Sequence, residues 1–370
     1  MLSDKKKKDI LKAISKETGM SVSSIYKIFS NPFQFSQQSI SEVRRAAEKH
    51  GFTVSSDLPA TEICREAGAS LRHILRIAIA VPSRPLQFWR EAVLGFERAR
   101  EQIELEQEVI IKFVYGYHHF PGDEADTDRL FAHLKDQALD GCILYPICGE
   151  SCRNFVESLS SRAPLVIFND LQEYMTDAWF AEHPNVCFIG TDSYDEGYKA
   201  ASVVLARDRR IRRLAAVHVT NDAGCQSSRI RVQGFCEGMR AYAPQAEVIC
   251  IEETSLRRNT ASILARKLEP LYGQEGAGPD CVYFGNGCTH IACSAIEKLA
   301  RIREEAAHTV VVGHELMEGD KRYLMEGRQC GYVKQDVYTQ GYAAMHDMVS
   351  CILSGVPLKK RTYQSSVFIR

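Results

Sequence analysis

From Ile77 onward the chain alternates short runs rich in Val, Ile and Leu with longer segments of helical period, and this alternation restricts the fold more than any other feature. Ile77–Pro82 reads as a buried strand and Phe88–Gln102 as a helix. Further strands are expected over Glu108–Tyr115, Gly141–Tyr145, Leu165–Phe168, Val186–Ile189, Arg213–Val219, Glu247–Glu252, Asp280–Gly285 and Thr309–Val312. Helices over Asp126–Gln137, Tyr194–Ala206, Ser228–Tyr242, Asn259–Tyr272 and Ile291–Ile302 fall between them. Strands that are apolar throughout, each followed by a helix, belong to parallel sheets covered on both faces. So many strands exceed what one twisted sheet comfortably holds, so the α/β part is expected to divide into two subdomains.

The first fifty residues have a different character. A short helical pattern (Ile10, Leu11, Ile14) closes at Thr18-Gly19, where glycine can take the left-handed conformation that ends a helix. Ser21 then suits the N-cap of a second helix whose Val22, Ile25, Ile28 and Phe29 share one face. Ser39–His50 forms a third helix. Two short helices around a tight turn are either a plain helical hairpin or a helix-turn-helix unit, whose second helix enters the DNA major groove. Ser23, Ser24, Tyr26 and Lys27 supply short or hydrogen-bonding side chains near the start of that helix. The charge favours DNA. Lys5–Lys8 precede the first helix, and the stretch through His50 carries a net +5 against −6 for the remainder. A basic head on an acidic body is an arrangement suited to phosphate. The chain therefore divides into residues 1–54, a linker over 55–74, and 75–370.

The stretch Thr18-Gly19-Met20-Ser21-Val22-Ser23-Ser24-Ile25-Tyr26-Lys27-Ile28-Phe29-Ser30-Asn31, followed by Phe35-Ser36, Val43 and Gly51-Phe52, resembles the headpiece of the lactose-repressor (LacI/GalR) family. The resemblance implies a DNA-contacting set of Ser21, Val22, Ser23, Ser24, Tyr26, Lys27 and Asn31, with Val22, Ser23 and Lys27 reading base edges. Lys27 stands where that family usually has Arg, which keeps a phosphate or guanine contact but loses the bidentate fork. The linker departs from the family pattern: it is long, lacks the usual Pro-Asn, and offers Leu71 alone as a minor-groove wedge. Behind it, the rest resembles the same family's type I periplasmic-binding-protein-like sensor. The matching pieces are Phe88-Trp89 with Gly95, Leu139–Leu144, Ala163–Asp170, Arg229–Phe235, Val311–His314 and Gln335-Asp336 with Gln340–Ala344. What this implies is a homodimeric transcriptional repressor that binds double-stranded operator DNA under the control of a small sugar-like effector.

Ligands of open parallel α/β sheets bind beyond the carboxyl ends of the strands. By position in the family pattern, Phe88 and Trp89 would stack on a sugar ring, while Asp170, Asp192, Arg231, Asn286 and Gln335 would bond hydroxyls or a carboxylate. His314 stands where the family usually has Asp, and Leu171 where pentose binders often have Arg. Each also has a structural reading: an Asp after a strand is often a helix N-cap, and Phe88 and Trp89 are plausible core. Near Asn286 the register leaves Gly287, Cys288 and Thr289 as alternatives. Arg231 points to an anionic or hydroxyl-rich ligand, and His314 to an affinity that varies between pH 6 and 8.

Other classes find little support. There is no G-x-S-x-G elbow, P-loop or H-E-x-x-H, and the G-x-G at Gly285–Gly287 lacks its third glycine. A non-enzyme without cofactor or metal is expected, with a sugar-binding or sugar-processing protein as the alternative. The thirteen cysteines show no C-x-x-C pair and read as small buried hydrophobes. No apolar run approaches a membrane span and no signal-peptide core follows the first lysines, so a cytoplasmic address without a membrane partner is expected.

Overall fold

A computed structural model of the chain describes residues 4–22, 24–25, 37–50, 73–83, 85–118, 124–208, 210–219, 226–253, 260–273 and 278–370. They fall into two compact units, 1–72 and 73–370.

In the first unit, helix α1 (Asp4–Thr18) ends at Gly19, whose φ of 69° is left-handed. The Ser21 hydroxyl then accepts the Ser24 amide at 3.1 Å, and the Ile25 amide donates to the Ser21 carbonyl at 3.0 Å, so Ser21 caps a new helical turn. Ile25 is fully buried against Ile14 and against Val43, Ala46 and Ala47 of α2 (Gln37–Lys49). Glu17 clamps the two helices by pairing with Lys49 at 2.9 Å and His50 at 3.0 Å, and these partners hold its carboxyl below the usual range. Of the DNA-contact candidates, Ser21 and Val22 are exposed and Ser24 is half-buried; Ser23, Tyr26, Lys27, Asn31 and the wedge candidate Leu71 lie outside the described residues.

The second unit carries two six-stranded sheets. The first lobe contains β1 (His73–Pro82), α3 (Leu86–Glu106), β2 (Val109–His118), α4 (Glu124–Lys135), β3 (Gly141–Leu144), α5 (Glu150–Ser160), β4 (Leu165–Phe168), α6 (Asp177–Glu182) and β5 (Val186–Thr191). The second lobe follows with α7 (Ser193–Arg207), β6 (Arg213–Val219), α8 (Ser227–Tyr242), β7 (Glu247–Glu253), α9 (Thr260–Leu268), β8 (Cys281–Phe284), α10 (His290–Ala300), β9 (Val310–His314), α11 (Lys321–Glu326) and β10 (Gln329–Lys334). The chain then returns to the first lobe through α12 (Val337–Ser354) and β11 (Arg361–Tyr363), and crosses once more to end in β12 (Ser366–Ile369). The strand orders are β11-β5-β4-β3-β1-β2 and β12-β10-β9-β8-β6-β7. All pairs are parallel except β10 with β12. Three crossings, at Asp192, at 335–336 and at 364–365, thus join the lobes.

The expected alternation is present, with three corrections. Strand β1 begins at His73, inside the segment read as linker, because His73 already pairs with Val109 and its amide donates to Glu108. The helix expected to reach Tyr272 stops at Leu268, since Pro270 cannot continue the ladder and a single 3-10 turn follows. Strand β9 runs to His314 rather than Val312, which brings that imidazole into the sheet's carboxyl edge. The reading of the cysteines as small buried hydrophobes holds for Cys142, Cys152, Cys187, Cys281, Cys293 and Cys330, whereas Cys148 and Cys250 are exposed among the described residues.

Candidate functional site

The cleft between the lobes is lined by what immediately follows the strands. Three non-glycine residues among those described have positive φ, and each sits at such a place: Asn169 (71°) after β4, Cys288 (63°) after β8 and Glu315 (59°) after β9. Left-handed backbone at non-glycine residues costs energy and collects where the surroundings need it, commonly at ligand sites. Asn169 donates to Gln335 Oε1 at 2.6 Å and reaches Gln340 Oε1 at 3.4 Å, tying the first sheet to the second crossing. Asp170 is buried, accepts the Leu171 amide on one oxygen at 2.8 Å, and on the other accepts the hydroxyls of Ser227 at 2.7 Å and Tyr145 at 3.4 Å. Ser227 opens α8, so Asp170 spans the cleft from one lobe to the other.

The second lobe contributes a buried charged cluster built by two helices in backbone contact. A Cβ at Gly197 of α7 would overlap the carbonyl of Arg231, and one at Gly234 of α8 would overlap the carbonyl of Tyr194. With hydrogen there instead, the helices close until Glu196 Oε2 meets Arg231 Nε at 2.7 Å, with side chains 1% and 8% exposed. Burial opposes the guanidinium's charge, but Glu196, Tyr283 and Asp170 together outweigh it, and the Arg231 pKa stays above its ordinary value. Below them the Tyr283 hydroxyl bonds His314 Nε2 at 2.7 Å. Burial first, and then the charge of Arg231, push the His314 pKa well below 6.5. The imidazole is therefore neutral across the physiological range, and the expected change of its charge between pH 6 and 8 does not occur. Its neighbour titrates there instead. Burial raises the Glu315 carboxyl to about 8, against the lowering effect of the Gln335 amide bonded to it at 3.0 Å; Glu196 raises it further, while Arg231 and Lys334 lower it.

The remaining candidates are placed as follows. Trp89 and Phe88 open α3, with their rings 5.0 Å apart edge to face, and Trp89 also meets Tyr145 at 5.0 Å and Phe168 at 6.5 Å. Both are more than nine-tenths buried in the first-lobe core, which Met317 of the second lobe joins. Asp192 is exposed and caps α7, accepting the amides of Tyr194 at 2.9 Å and Asp195 at 3.2 Å. Its carboxylate thus serves the helix that carries Glu196. Asn286, Gly287 and Cys288 are half-buried, whereas Thr289 is fully buried and donates to the His314 carbonyl at 3.4 Å. The structure brings Asp170, Arg231, His314 and Gln335 together and adds Tyr145, Glu196, Ser227 and Glu315, which sequence reasoning missed. A signal for Glu196 existed: it lies on the stripe 196, 200, 203, 204, otherwise Ala and Val, and a carboxylate on an apolar stripe asks for a buried partner. Among the described residues no group of three or more His, Cys, Asp or Glu is arranged to hold a metal, and no helix is long and apolar enough to cross a membrane.

A family model described as a periplasmic binding protein domain matches residues 77–354. No curated protein matches the sequence. Among solved structures, the chain is similar to the periplasmic component of an ABC-type sugar transport system from Hahella chejuensis, at 20% identity and a TM-score of 0.63 over 79% of this chain and 99% of that one. A Caulobacter myo-inositol binding protein bound to myo-inositol is 17% identical, with a TM-score of 0.62 over 79% and 92%. The transcriptional regulator CelR in complex with cellobiose is 15% identical, with a TM-score of 0.59 over 97% and 98%. At these identities the likeness is one of fold.

Proposed function

The chain belongs to the periplasmic binding protein domain family, and on that premise we propose that it is a DNA-binding transcriptional regulator of the LacI/GalR type, a homodimeric repressor whose operator affinity is set by a small hydroxyl-rich ligand in the cleft. The observation that carries this reading is the first unit: a capped helical turn at Ser21 packed through Ile25 onto α1 and α2, behind a basic tract at Lys5–Lys8. Extent supports it as well. The Hahella transport component and the Caulobacter myo-inositol binding protein match 79% of this chain over 99% and 92% of their own length, whereas CelR matches 97% over 98%. The likeness to CelR thus extends over more of this chain than the likeness to either binding protein.

The mechanism follows from linkage. A ligand held by Asp170 on one lobe and Arg231 on the other binds the closed cleft more tightly than the open one, and so shifts the population towards closure. If closure alters how a dimer presents its two N-terminal units, operator affinity changes by the same coupling energy, of order 1–3 kcal/mol. Two-fold pairing supplies the register that one helix-turn-helix lacks.

A binding selection on random duplex DNA with the full chain is expected to enrich a pseudo-palindrome whose affinity changes when a bound sugar is present. Lys27→Ala should weaken the selected site by about 1–3 kcal/mol with a changed preference at one position per half-site. Replacing Lys5–Lys8 by Ala should weaken all DNA alike and flatten the salt dependence. The competing reading, a sugar-binding protein without a DNA role, is favoured by the likenesses to the Hahella transport component and the myo-inositol binding protein; it predicts ligand binding with no enriched sequence.

A further inference from the structure

We propose that the cleft selects a hydroxyl-rich ligand carrying no negative charge, and that Glu196 imposes this choice by holding Arg231 in an internal ion pair. The proposal rests on the cleft being the small-molecule site. An arginine alone in such a cleft would favour a sugar acid or a sugar phosphate, because its planar fork matches carboxylate and phosphate oxygens. Here the Nε edge of the fork is already engaged and its charge is already matched. Arg231 Nε donates to Glu196 Oε2 at 2.7 Å, and both side chains are more than nine-tenths buried. The pair is not easily parted, because the Gly197 and Gly234 contacts hold α7 and α8 backbone to backbone.

The surrounding charges point the same way. Across the cleft, Asp170 is buried and bonded to Ser227, near enough to act electrostatically on Arg231. Glu315, with a pKa of about 8, is largely protonated at pH 7. Lys334, whose charge reaches Glu315, is 40% exposed and lies 3.8 Å from Glu91. Arg231 therefore faces two carboxylates, Glu196 and Asp170, and an incoming carboxylate or phosphate would add a third in a place where water screens little. A neutral polyol meets no such penalty. Its hydroxyls both donate and accept, and the cluster holds buried polar atoms that lack partners among the described residues: Glu196 Oε1, His314 Nδ1 and Gln340 Nε2. The first needs a donor, the last an acceptor, and the neutral imidazole nitrogen takes either.

The test uses matched pairs on the full chain at pH 7: glucose against glucuronate and glucose 6-phosphate, galactose against galacturonate, with myo-inositol and cellobiose added. Thermal shift locates a binder and calorimetry gives Kd. A neutral member is expected to bind, its anionic counterpart at least tenfold more weakly. Glu196→Gln should narrow that gap at least tenfold, and Asp170→Asn, from the opposite lobe, should narrow it as well, so the inference does not depend on one variant folding. An acid or phosphate that binds the wild-type chain as tightly as its neutral parent overturns the charge selection and leaves the ligand site standing. A panel in which nothing binds, neutral or charged, overturns both. Unchanged ratios in two folded variants remove Glu196 and Asp170 as the cause.

Discussion

The two lobes use the same device to bring a helix pair together and then do opposite things with it. In the first lobe, Gly95 of α3 lies against the Tyr338 carbonyl and Gly341 of α12 against the Ala92 carbonyl. In the second lobe, Gly197 and Gly234 play these parts between α7 and α8. The cleft end of the first pair is aromatic, with Trp89, Phe88 and Tyr145 in edge-to-face contact and Phe168 beneath. The cleft end of the second is ionic, with Glu196 on Arg231 and His314 on Tyr283. One wall is built of packed rings, which gain about 0.5–1.5 kcal/mol per well-placed pair beyond burial. The other offers fixed charges and orphaned polar atoms, whose net contribution to stability is near zero or unfavourable. A molecule with an apolar face and a hydroxylated rim fits between two such walls. On the function proposed above, Arg231 and Glu196 would serve recognition more than folding.

Four measurements would break or sharpen that contrast. The largest effect is expected from Arg231→Ala, which leaves Glu196 buried and unpaired and should cost about 3–5 kcal/mol in urea unfolding. Replacing both partners with apolar residues, Glu196→Leu with Arg231→Met, should recover most of that stability while abolishing ligand binding; if the double variant is as unstable as the single, the pair is a structural device and the contrast between the lobes fails.

The next effect is pH-dependent. Glu315 has a folded pKa of about 8 against an ordinary 4.5, so between those values the folded chain holds a proton that the unfolded chain has released. Its stabilising contribution is full below 4.5 and is lost as pH rises towards 8, at up to about 1.4 kcal/mol per pH unit. Glu196 opposes its ionisation, while Arg231 and Lys334 favour it. Glu315→Gln should remove this slope, gaining on wild type steadily from pH 5 to 8. A constant difference across that range would refute it.

Gly197→Ala should follow, because its methyl group overlaps the Arg231 carbonyl: about 1–3 kcal/mol is lost as the helices part. Ligand affinity should fall with it, because Glu196 no longer reaches Arg231. Normal affinity in a destabilised variant would show that the ion pair is dispensable for binding. Smallest is Tyr145→Phe, which removes the first wall's long 3.4 Å bond to Asp170 and keeps the ring. A loss under about 1 kcal/mol is expected in stability, with a few-fold change in affinity; a larger drop would make the aromatic wall a hydrogen-bonding one.

Much of the architecture was legible. Leu165–Phe168 and Arg213–Val219 stand where their apolar runs placed them, since a central parallel strand writes its burial directly into its composition. Short or half-exposed elements left less trace. Helix α5 went unassigned although Phe155, Val156 and Leu159 are buried, and β11 and β12 are edge strands with polar or exposed residues. Trp89 and Arg231 stand out by pattern, while Glu315 has no local signal: it is one acid among many until β9 carries it into the sheet's edge.

The sequence by itself determined that the chain would form parallel sheets in two lobes, because strand and helix periods are local and each apolar run must be covered. It also determined that a basic helical head would precede them. Only the tertiary structure decided the character of the cleft. Glu196 and Arg231 are thirty-five residues apart and meet because two glycines remove the side chains that would hold their helices apart. His314 looked like a titrating group and is held neutral, while Glu315 beside it was pushed to about 8. Burial and the charges across a cleft are set by residues far away in the chain, and they decide what a side chain does once its position is known.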